Sequence, residues 1–374
     1  MRVVLAVDAI ASPLTGIGRY TWELANFYRS ASSGLSEARF YLQGRVLDDP
    51  TELLAQPGVP SARKRKSWLP KLPRSFQRLH LRRQLNRGLF HGPNYFLPDL
   101  VECGCVTVHD LSVFRFPETH PVERIRHFEE KFQSTLARAN CLITDSEFIR
   151  QEVMTYFGWP SERIVQIGLG VSPEFRPMDL HELDMISTEY GLVPGGYALC
   201  VSTLEPRKRI DGLLCAYRLL PHALRERFPL VLVGGKGWLS ENLHRQIEAG
   251  QREGWLKYLG FVPQADLPAI YAGAHAFLYP SIYEGFGLPV LEALASEVPT
   301  LTSRSSSLQE IAHEAAYLVD PEADEAGMAA AIEQVIVDDD WRRQAKQRGL
   351  EVAGLYTWER CARRTIELYE MIGR

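Results

Sequence analysis

Two glutamates flank a glycine-rich turn in the segment YEGFGLPVLEAL, residues 283–294. Gly285 and Gly287 allow the backbone to turn tightly and to approach a ligand, and Pro289 suits the start of a helix because its φ is fixed and its missing N–H is not needed there. The backbone amides predicted to point outward from the helix start are those of Phe286, Gly287 and Leu288. Such amides at the positive end of a helix are a favourable site for a diphosphate.

The two acids of this segment, Glu284 and Glu292, need partners other than phosphate oxygens, because a carboxylate and a phosphate repel each other. Hydroxyl groups are the natural alternative. We predict that Glu292, in the first turn of the helix, holds two ribose hydroxyls and that Glu284 lies nearer a transferred sugar. Taken alone, Glu292 could equally complement the helix dipole, but the whole E-x7-E frame with its Gly-Phe-Gly-Leu-Pro centre is much rarer by chance.

Two cations, Arg207 and Lys208, follow one predicted strand and precede a helix. Side chains in that position project from the carboxyl edge of a parallel sheet, where α/β proteins bind ligands. A departing nucleoside diphosphate gains negative charge, which fixed cations stabilise more in the transition state than in the ground state. We therefore predict a diphosphate site that needs no metal, with a solvated basic turn as the alternative.

Two weaker signals lie in the first half of the chain. Gly16 and Gly18 sit between the first predicted strand and helix, but they do not form a complete dinucleotide-binding G-x-G-x-x-G pattern, so a simple chain reversal is equally compatible with them. His109 ends a strand-like run and could present its imidazole at a cleft, although most isolated histidines are structural.

The elements that must position these residues alternate between strands and helices. The predicted strands are 3–7, 105–108, 141–144 and 163–167 in the first half and 197–201, 230–233, 256–259 and 276–279 in the second. This alternation predicts two doubly wound α/β domains with parallel sheets. The proline-containing stretch after Gly170 places the boundary near Pro177, giving domains 1–177 and 178–357. Periodicity leaves open whether the last helix, within 358–374, completes the second domain or crosses back to the first.

Composition places few further limits on function. The chain has 374 residues, a net charge of -4 and six scattered cysteines, which we interpret as reduced core residues without metal-ligand spacing. Nothing points to a nucleic-acid partner. The apolar run at the N-terminus is interrupted at Asp8, too early for a signal peptide, and no stretch is long enough to span a bilayer. A cytoplasmic location is therefore expected.

The E-x7-E segment resembles the motif of retaining glycosyltransferases of family 4. In chain order, 15–20 is similar to the family's glycine loop near the sugar phosphate, and 108–111 to its active-site histidine segment. Residues 202–209, with Ser202, resemble its phosphate-binding segment. Residues 230–235, with Gly234, resemble the next strand and turn, and 259–262, with Phe261 and Val262, the stretch lining the base pocket. This resemblance covers nearly the whole chain and implies two Rossmann-like domains facing each other across a cleft, the glycosyltransferase B-type fold.

The resemblance also implies a mechanism. Gly16 and Gly18 would contact the donor, and His109 would hydrogen bond the transferred sugar in preference to acting as a strict base. Transfer would retain the anomeric configuration, without a metal cofactor. One departure is that many members place an arginine several residues before the lysine, where this chain has Ser202 and Thr203; Arg207 is the candidate replacement.

Two further stretches, HGPNYFLP (91–98) and VHDLSVFRFPE (108–118), most resemble bacterial mannosyl- or rhamnosyltransferases of O-antigen synthesis. They imply a GDP-sugar donor and a lipid-linked saccharide acceptor. The alternatives are a transferase that uses a UDP-sugar and a non-catalytic sugar-nucleotide-binding subunit of a polysaccharide assembly complex. The intact Glu284, Glu292 and Lys208 argue against the second.

A basic segment, 61–88, has only lysine and arginine as charged residues, apart from one histidine, and these are interleaved with aromatic and aliphatic side chains. Such a segment can lie against anionic lipid head groups. We predict that it brings the site to the cytoplasmic membrane face. A solvated arm packed on the first domain is the alternative.

Overall fold

Two separate sheets organise the chain. The computed structural model describes residues 1–14, 16–54, 74–235, 237 and 241–373, and over these residues the strands form a seven-stranded and a six-stranded sheet. The strands of the first sheet are β1 Arg2–Ala6, β2 Glu37–Leu42, β3 Arg45–Leu47, β4 Leu89–Gly92, β5 Gly104–Val108, β6 Ala139–Thr144 and β7 Ile164–Gln166. Those of the second are β8 Ala198–Val201, β9 Leu230–Val233, β10 Leu256–Gly260, β11 Ala276–Tyr279, β12 Thr300–Ser303 and β13 Ala316–Val319.

The first sheet has the order β3-β2-β1-β4-β5-β6-β7. Its central strands are apolar on both faces and buried, as helices on both sides require. The prediction of a wholly parallel sheet is wrong at one edge, because β3 pairs with β2 in the antiparallel sense. A turn of only two residues separates these strands, and a parallel connection needs a much longer crossover.

The second sheet is parallel throughout, with the order β10-β9-β8-β11-β12-β13. The strand order reverses between β8 and β11, so the connections that leave their carboxyl ends run in opposite directions and open a crevice. Arg207 and Lys208 follow β8, and Glu284 follows β11. The topology therefore brings the predicted cations and the first predicted acid to one switch point.

The helices cover both sheets. In the first half they are α1 Gly16–Arg29, α2 Arg74–Leu85, α3 Ser112–Arg115, α4 Val122–Arg138, α5 Glu147–Phe157 and α6 Asp184–Tyr190. The remainder are α7 Ile210–Leu219, α8 His222–Arg227, α9 Glu241–Arg252, α10 Leu267–Ala272, α11 Leu288–Ala295, α12 Ser306–Ala312, α13 Glu325–Val337, α14 Asp339–Ala353 and α15 Trp358–Ile372. Gly16 and Gly18 thus lie within the first helix and not in the predicted loop.

The last helix, α15, packs against α1 of the first sheet. Its Tyr369 hydroxyl lies 2.8 Å from the Tyr28 hydroxyl and 2.6 Å from Nδ1 of His91, and all three side chains are buried. The helix therefore crosses back from the second sheet to the first, a choice that periodicity leaves open. The boundary predicted near Pro177 falls between β7 and β8.

Candidate functional site

A buried cluster of opposite charges lies at the switch point of the second sheet. The ammonium Nζ of Lys208 is 2.5 Å from Oε1 of Glu284, and the Tyr279 hydroxyl lies 3.0 Å from the ammonium and 2.8 Å from the same carboxylate oxygen. Tyr279 ends β11, Lys208 belongs to the turn after β8, and Glu284 belongs to the loop after β11. Two connections that are distant in sequence thus share one polar network.

Arg207 completes this cluster. Its Nη1 donates to Oε2 of Glu284 at 3.1 Å and to the carbonyl of Tyr283 at 2.9 Å, and its Nε lies 3.3 Å from a carboxylate oxygen of Glu205. Burial pushes the pKa of Glu284 upward, but the charges of Lys208 and Arg207 outweigh burial and hold that pKa at about 2. The carboxylate is therefore ionised across the physiological pH range.

These contacts qualify the role predicted for Glu284. In this structure its carboxylate binds two cations and a phenol, and the cations predicted to hold a diphosphate are the same two that it binds. A diphosphate that reaches Arg207 and Lys208 therefore competes with Glu284, or with Glu205, for their N–H groups. The approach of Glu284 to sugar hydroxyls stays a prediction.

The glycine turn leads directly into helix α11. Gly287 has φ +110° and is the N-cap of α11, which begins at Leu288 with Pro289 in its first turn. The prediction that Glu292 lies in the first turn is wrong, because it is the fifth helical residue. A helix dipole acts mainly within one turn of the end, so the dipole alternative for Glu292 loses force.

Glu292 is half-buried and lies close enough to Arg19 of the first half to be affected by its charge. Burial raises its pKa to about 7, while the neighbouring Tyr271 hydroxyl and the Arg19 guanidinium act in the opposite direction. Arg19 belongs to α1 of the first half. A carboxyl group with this pKa changes between donor and acceptor of hydrogen bonds near neutral pH.

His109 is buried where β5 ends. Its Nδ1 is 2.7 Å from a carboxylate oxygen of Asp145, and its Nε2 is 2.8 Å from the carbonyl oxygen of Pro93. When the Asp145 carboxylate is ionised, both partners are acceptors and the imidazole satisfies them by donating from both ring nitrogens; burial raises the pKa of Asp145 and the charge of His109 lowers it. Burial opposes protonation, but the Asp145 carboxylate outweighs it and raises the pKa of His109. In this arrangement both ring nitrogens are engaged, so neither is free to contact a sugar.

The first and second halves of the chain are in contact at Gly285 and Gly16. A Cβ added to Gly285 would lie 1.7 Å from the carbonyl oxygen of His109, and one added to Gly16 would lie 3.8 Å from Cδ1 of Leu288. The Ser146 hydroxyl donates to the carbonyl of Gly285 at 2.8 Å. Residues predicted separately as a glycine loop, a histidine and an acidic motif are therefore brought to one cleft.

The remaining predicted residues line the carboxyl edge of the second sheet. Gly234 has φ +142° and passes so close to Ser202 that a Cβ would lie 1.9 Å from the Ser202 carbonyl oxygen. Phe261 is 61% exposed, whereas Val262 and Phe286 are buried in the core. A side-chain role in a base pocket is thus open to Phe261, while Val262 could contribute only its backbone.

Sequence reasoning missed Tyr279, Glu205 and Asp145. Each is a polar or phenolic residue at or just after the carboxyl end of a strand, or in the turn that follows it, which is the available signal. The signal is strongest for Asp145. It follows β6 directly, and β6 pairs with β5, the strand that His109 follows.

Neither a metal cluster nor a membrane-spanning helix is found in the part of the chain that the structure describes. Over those ranges, no group of three or more histidine, cysteine or acidic side chains is arranged to hold a metal ion. Among the helices of the same ranges, none is long and apolar enough to cross a bilayer. The first part of the predicted basic segment, 61–73, lies outside the described residues, and the remainder, 74–88, includes α2.

The fold and the site together define a class of protein. Two Rossmann-like sheets that face each other across a cleft, with an E-x7-E segment and paired cations at a switch point, make up a glycosyltransferase of B-type architecture. A lipopolysaccharide glycosyltransferase, WaaG, superposes with a TM-score of 0.72 over 98% of this chain and 99% of its own at 15% identity. HepE of Anabaena, in complex with UDP and glucose, gives 0.72 over 99% and 100% at 15% identity.

Sequence comparison identifies the family within this class. The model of the group 1 glycosyl transferases matches residues 194–352. O-antigen chain mannosyltransferase B of Escherichia coli is 39% identical over the full length of both chains. The serotype-specific mannosyltransferase WbdA of the same species is 31% identical over 64% of this chain and 30% of its own. This chain belongs to the group 1 glycosyltransferases and is an enzyme that transfers a sugar from a nucleotide donor to a saccharide acceptor.

Proposed function

We propose that this enzyme transfers mannose from GDP-mannose to a lipid-linked saccharide during synthesis of an O-antigen chain. The observation that carries the proposal is the 39% identity, over the whole of both chains, to an O-antigen chain mannosyltransferase. A second mannosyltransferase of O-antigen, RfbU of Salmonella typhimurium, is 24% identical over 67% of this chain and 65% of its own.

In the proposed mechanism, an acceptor hydroxyl attacks the anomeric carbon on the face from which the diphosphate leaves. The bond from that carbon to the phosphate oxygen breaks, the new glycosidic bond forms, and the hydroxyl proton passes to the departing phosphate. The anomeric configuration is then retained. Arg207, Lys208 and the amides of 286–288 stabilise the charge on the leaving group.

The charge of His109 adds to this stabilisation. In this proposal the ring, held between Asp145 and Pro93 beside Gly285, is protonated, and its charge acts together with that of the Asp145 carboxylate paired with it. This role differs from direct hydrogen bonding to the sugar, and it needs no free ring nitrogen. We propose that no metal takes part, because Arg207 and Lys208, once a diphosphate displaces Glu284 from them, can neutralise its charge together with the amides of 286–288; transfer unaffected by EDTA would support this, and loss of transfer restored by a divalent cation would contradict it.

A cavity in the first half is the candidate acceptor site. It has a volume of about 400 Å³, adjoins His109 through Pro93, and is lined by residues that include Asp8, Asn94 and Phe96. Carboxylate and amide groups beside an aromatic ring are a suitable surface for a neutral sugar ring. Asp8 is exposed at the edge of this cavity and accepts a hydrogen bond from the N–H of Gln43, so one carboxylate oxygen is already fixed in position.

Contact with an anionic membrane through 61–88 remains part of the proposal, as does a cytoplasmic location. Its support within the described residues is α2, where Phe76 and Leu79 are 60% and 45% exposed beside Arg78 and Arg82. Co-sedimentation with anionic vesicles at low salt, lost when the arginines of α2 are changed to glutamine, is the expected result. Equal binding by that variant would contradict it.

A donor assay tests the main proposal. Purified enzyme is given GDP-mannose, GDP-rhamnose, UDP-glucose or ADP-glucose with a lipid-linked mannosyl acceptor, and the stereochemistry of the product is read by NMR. We expect transfer from GDP-mannose with retention, and greatly reduced transfer in Lys208→Met. Transfer only from a UDP-sugar would show that the donor is not GDP-mannose. Tight binding of one nucleotide without any turnover would favour a non-catalytic binding subunit.

A further inference from the structure

The loop that carries Glu284 is held by the opposite half of the molecule. The Tyr283 hydroxyl donates to Oε2 of Glu152 at 2.5 Å and accepts from the backbone N–H of Leu111 at 2.9 Å. The Tyr283 ring packs between Phe116 and Phe148, with centroid distances of 5.1 and 6.0 Å. Tyr283 is 3% exposed, so the side chain before the predicted catalytic acid is buried in the other domain.

Helix α5, Glu147–Phe157, receives these contacts. Glu152 lies in its middle, and Ser146, its N-cap, donates to the Gly285 carbonyl while accepting from the N–H of Ile149. At the same end, the N–H groups of Glu147 and Phe148 donate to the two carboxylate oxygens of Glu310 from the second half, at 3.0 and 3.1 Å. One helix of the first half is thus contacted at three points by the second.

The contacts on Tyr283 continue into the charge cluster. Its carbonyl accepts from Arg207, and the N–H of the preceding Ile282 donates to the Arg207 carbonyl at 2.9 Å. The side chain of the following residue, Glu284, binds Lys208. A displacement of Tyr283 from Glu152 would therefore move the loop that carries Glu284 and the turn that supplies both cations.

From this arrangement we propose that Tyr283 and Glu152 are positioning residues, which couple the docking of the two domains on α5 to the geometry of the Glu284, Arg207 and Lys208 cluster. Neither residue touches the reacting atoms. The sugar-nucleotide binds to the second half whether or not the domains are docked, but transfer requires the docked arrangement. This inference rests on the proposed function for its kinetic readout only.

The principal test compares Tyr283→Phe with Tyr217→Phe. Tyr217 is a matched control, because its buried hydroxyl donates to the Phe228 carbonyl within the second half. Loss of a hydrogen bond to a charged acceptor predicts that kcat of Tyr283→Phe falls by about 10- to 100-fold while its dissociation constant for GDP changes by less than about 3-fold. Tyr217→Phe should retain kcat. Equal kcat in the two variants, or parallel losses of kcat and GDP affinity, would overturn the proposal.

Glu152 supplies a second set of variants. Glu152→Gln keeps an oxygen that accepts from Tyr283 and should retain most of kcat, whereas Glu152→Leu should match Tyr283→Phe. The double variant Tyr283→Phe/Glu152→Leu should be no slower than either single variant, because the pair acts as one unit. Independent, multiplicative losses would show that the two residues do not act together.

Hydrogen exchange separates this inference from the proposed function. With GDP present, amides of 147–152 and 283–288 should exchange faster in Tyr283→Phe than in the wild type or in Tyr217→Phe. This measurement needs no transfer activity. If the wild type transfers no sugar from any donor, the proposed function fails and the exchange data alone decide the coupling; unchanged exchange would overturn the coupling itself.

Discussion

At the scale of residues, the site is a set of mutually dependent charges. Glu284 is ionised because two cations surround it, whereas both ring nitrogens of His109 are engaged by Asp145 and Pro93, and the Asp145 carboxylate outweighs burial and raises the pKa of the imidazole. Glu292 differs, since burial dominates its environment. The consequences of substitution follow from these three environments.

Replacing Lys208 should separate catalysis from stability. In Lys208→Met we expect the transfer rate to fall at least about 100-fold, since a fixed charge at the leaving group is lost. Unfolding free energy should fall by about 3–5 kcal/mol, because the buried Glu284 carboxylate loses one of the two cations that neutralise it. Denaturant unfolding and transfer assays measure both effects.

The control for this variant is Lys346→Met on α14, which should be active and nearly as stable as the wild type. Adding Glu284→Gln to Lys208→Met should restore part of the lost stability without restoring transfer, because the second neutral side chain leaves no buried ion unpaired. A double variant less stable than Lys208→Met would contradict this view of the cluster.

Glu292→Gln should increase stability at alkaline pH and weaken donor binding. The pKa of Glu292 in the folded state is about 7, above its ordinary value of 4.5. The contribution of Glu292 to the free energy of unfolding is therefore fully present below pH 4.5 and is lost as pH rises through 7. The glutamine variant should therefore be more stable than the wild type at pH 8, by about 1–3 kcal/mol, with little difference at pH 5. Urea unfolding at both pH values measures it.

The same substitution should weaken donor binding, because a carboxylate is the better acceptor for two ribose hydroxyls. Wild-type affinity for GDP should increase from pH 6 to pH 8 as Glu292 ionises, while the affinity of Glu292→Gln should stay nearly constant. Parallel pH profiles for the two proteins would show that Glu292 does not contact the ribose.

At the scale of elements, the turn between β11 and α11 is shaped by close approach. Gly285 lies where any Cβ would collide with the backbone of His109, at the end of β5. From sequence, the glycines of this segment indicate conformational freedom for a ligand. The structure adds a second requirement, which is room for the backbone of the other domain.

Gly285→Ala should therefore disturb the contact between the domains. We expect a loss of at least about 2 kcal/mol in unfolding free energy or, if the domains separate instead, a large loss of kcat with modest loss of stability. Gly354→Ala, where an added Cβ would make only ordinary contacts beyond 3.4 Å, should be neutral. Calorimetry and transfer assays compare the pair, and a fully active, stable Gly285→Ala would contradict the close approach of Gly285 to His109.

At the scale of the whole molecule, the two halves are joined by more than the connection between β7 and β8. Helix α15 returns from the second half and places Tyr369 among Tyr28 and His91 in the core of the first. Burial lowers the pKa of His91 to about 3, so the ring is neutral and relies on hydroxyl partners. The C-terminal helix thus contributes to the stability of the N-terminal sheet.

Tyr369→Phe should expose this dependence. Removing the hydroxyl leaves a nitrogen of His91 and the hydroxyl of Tyr28 without that partner, which should cost about 1–3 kcal/mol of unfolding free energy. Tyr156→Phe changes a hydroxyl on a half-exposed ring of α5 and should be neutral. Chemical denaturation compares the two variants, and equal midpoints would show that the Tyr369 hydroxyl contributes nothing.

Local patterns determined most elements of the fold. Apolar runs and helical periodicity predicted β9 and β11 at their observed bounds, and the last helix as well, because burial on both faces of a strand or one face of a helix leaves a signal within a few residues. The edge strand β3, by contrast, is three residues long and only partly buried, so its sequence carries little of that signal.

The sequence by itself also supplied the chemistry of the site, since residue types and their order after strands identified Glu284, Lys208, Arg207 and His109. Only the tertiary structure decided which side chains pair. The Glu284 carboxylate binds cations 76 and 77 residues away, Asp145 contacts Nδ1 of His109 from the end of the neighbouring strand, and Tyr283 packs on α5. Such pairings depend on where carboxyl ends of strands meet in space, and no short-range pattern records that distance.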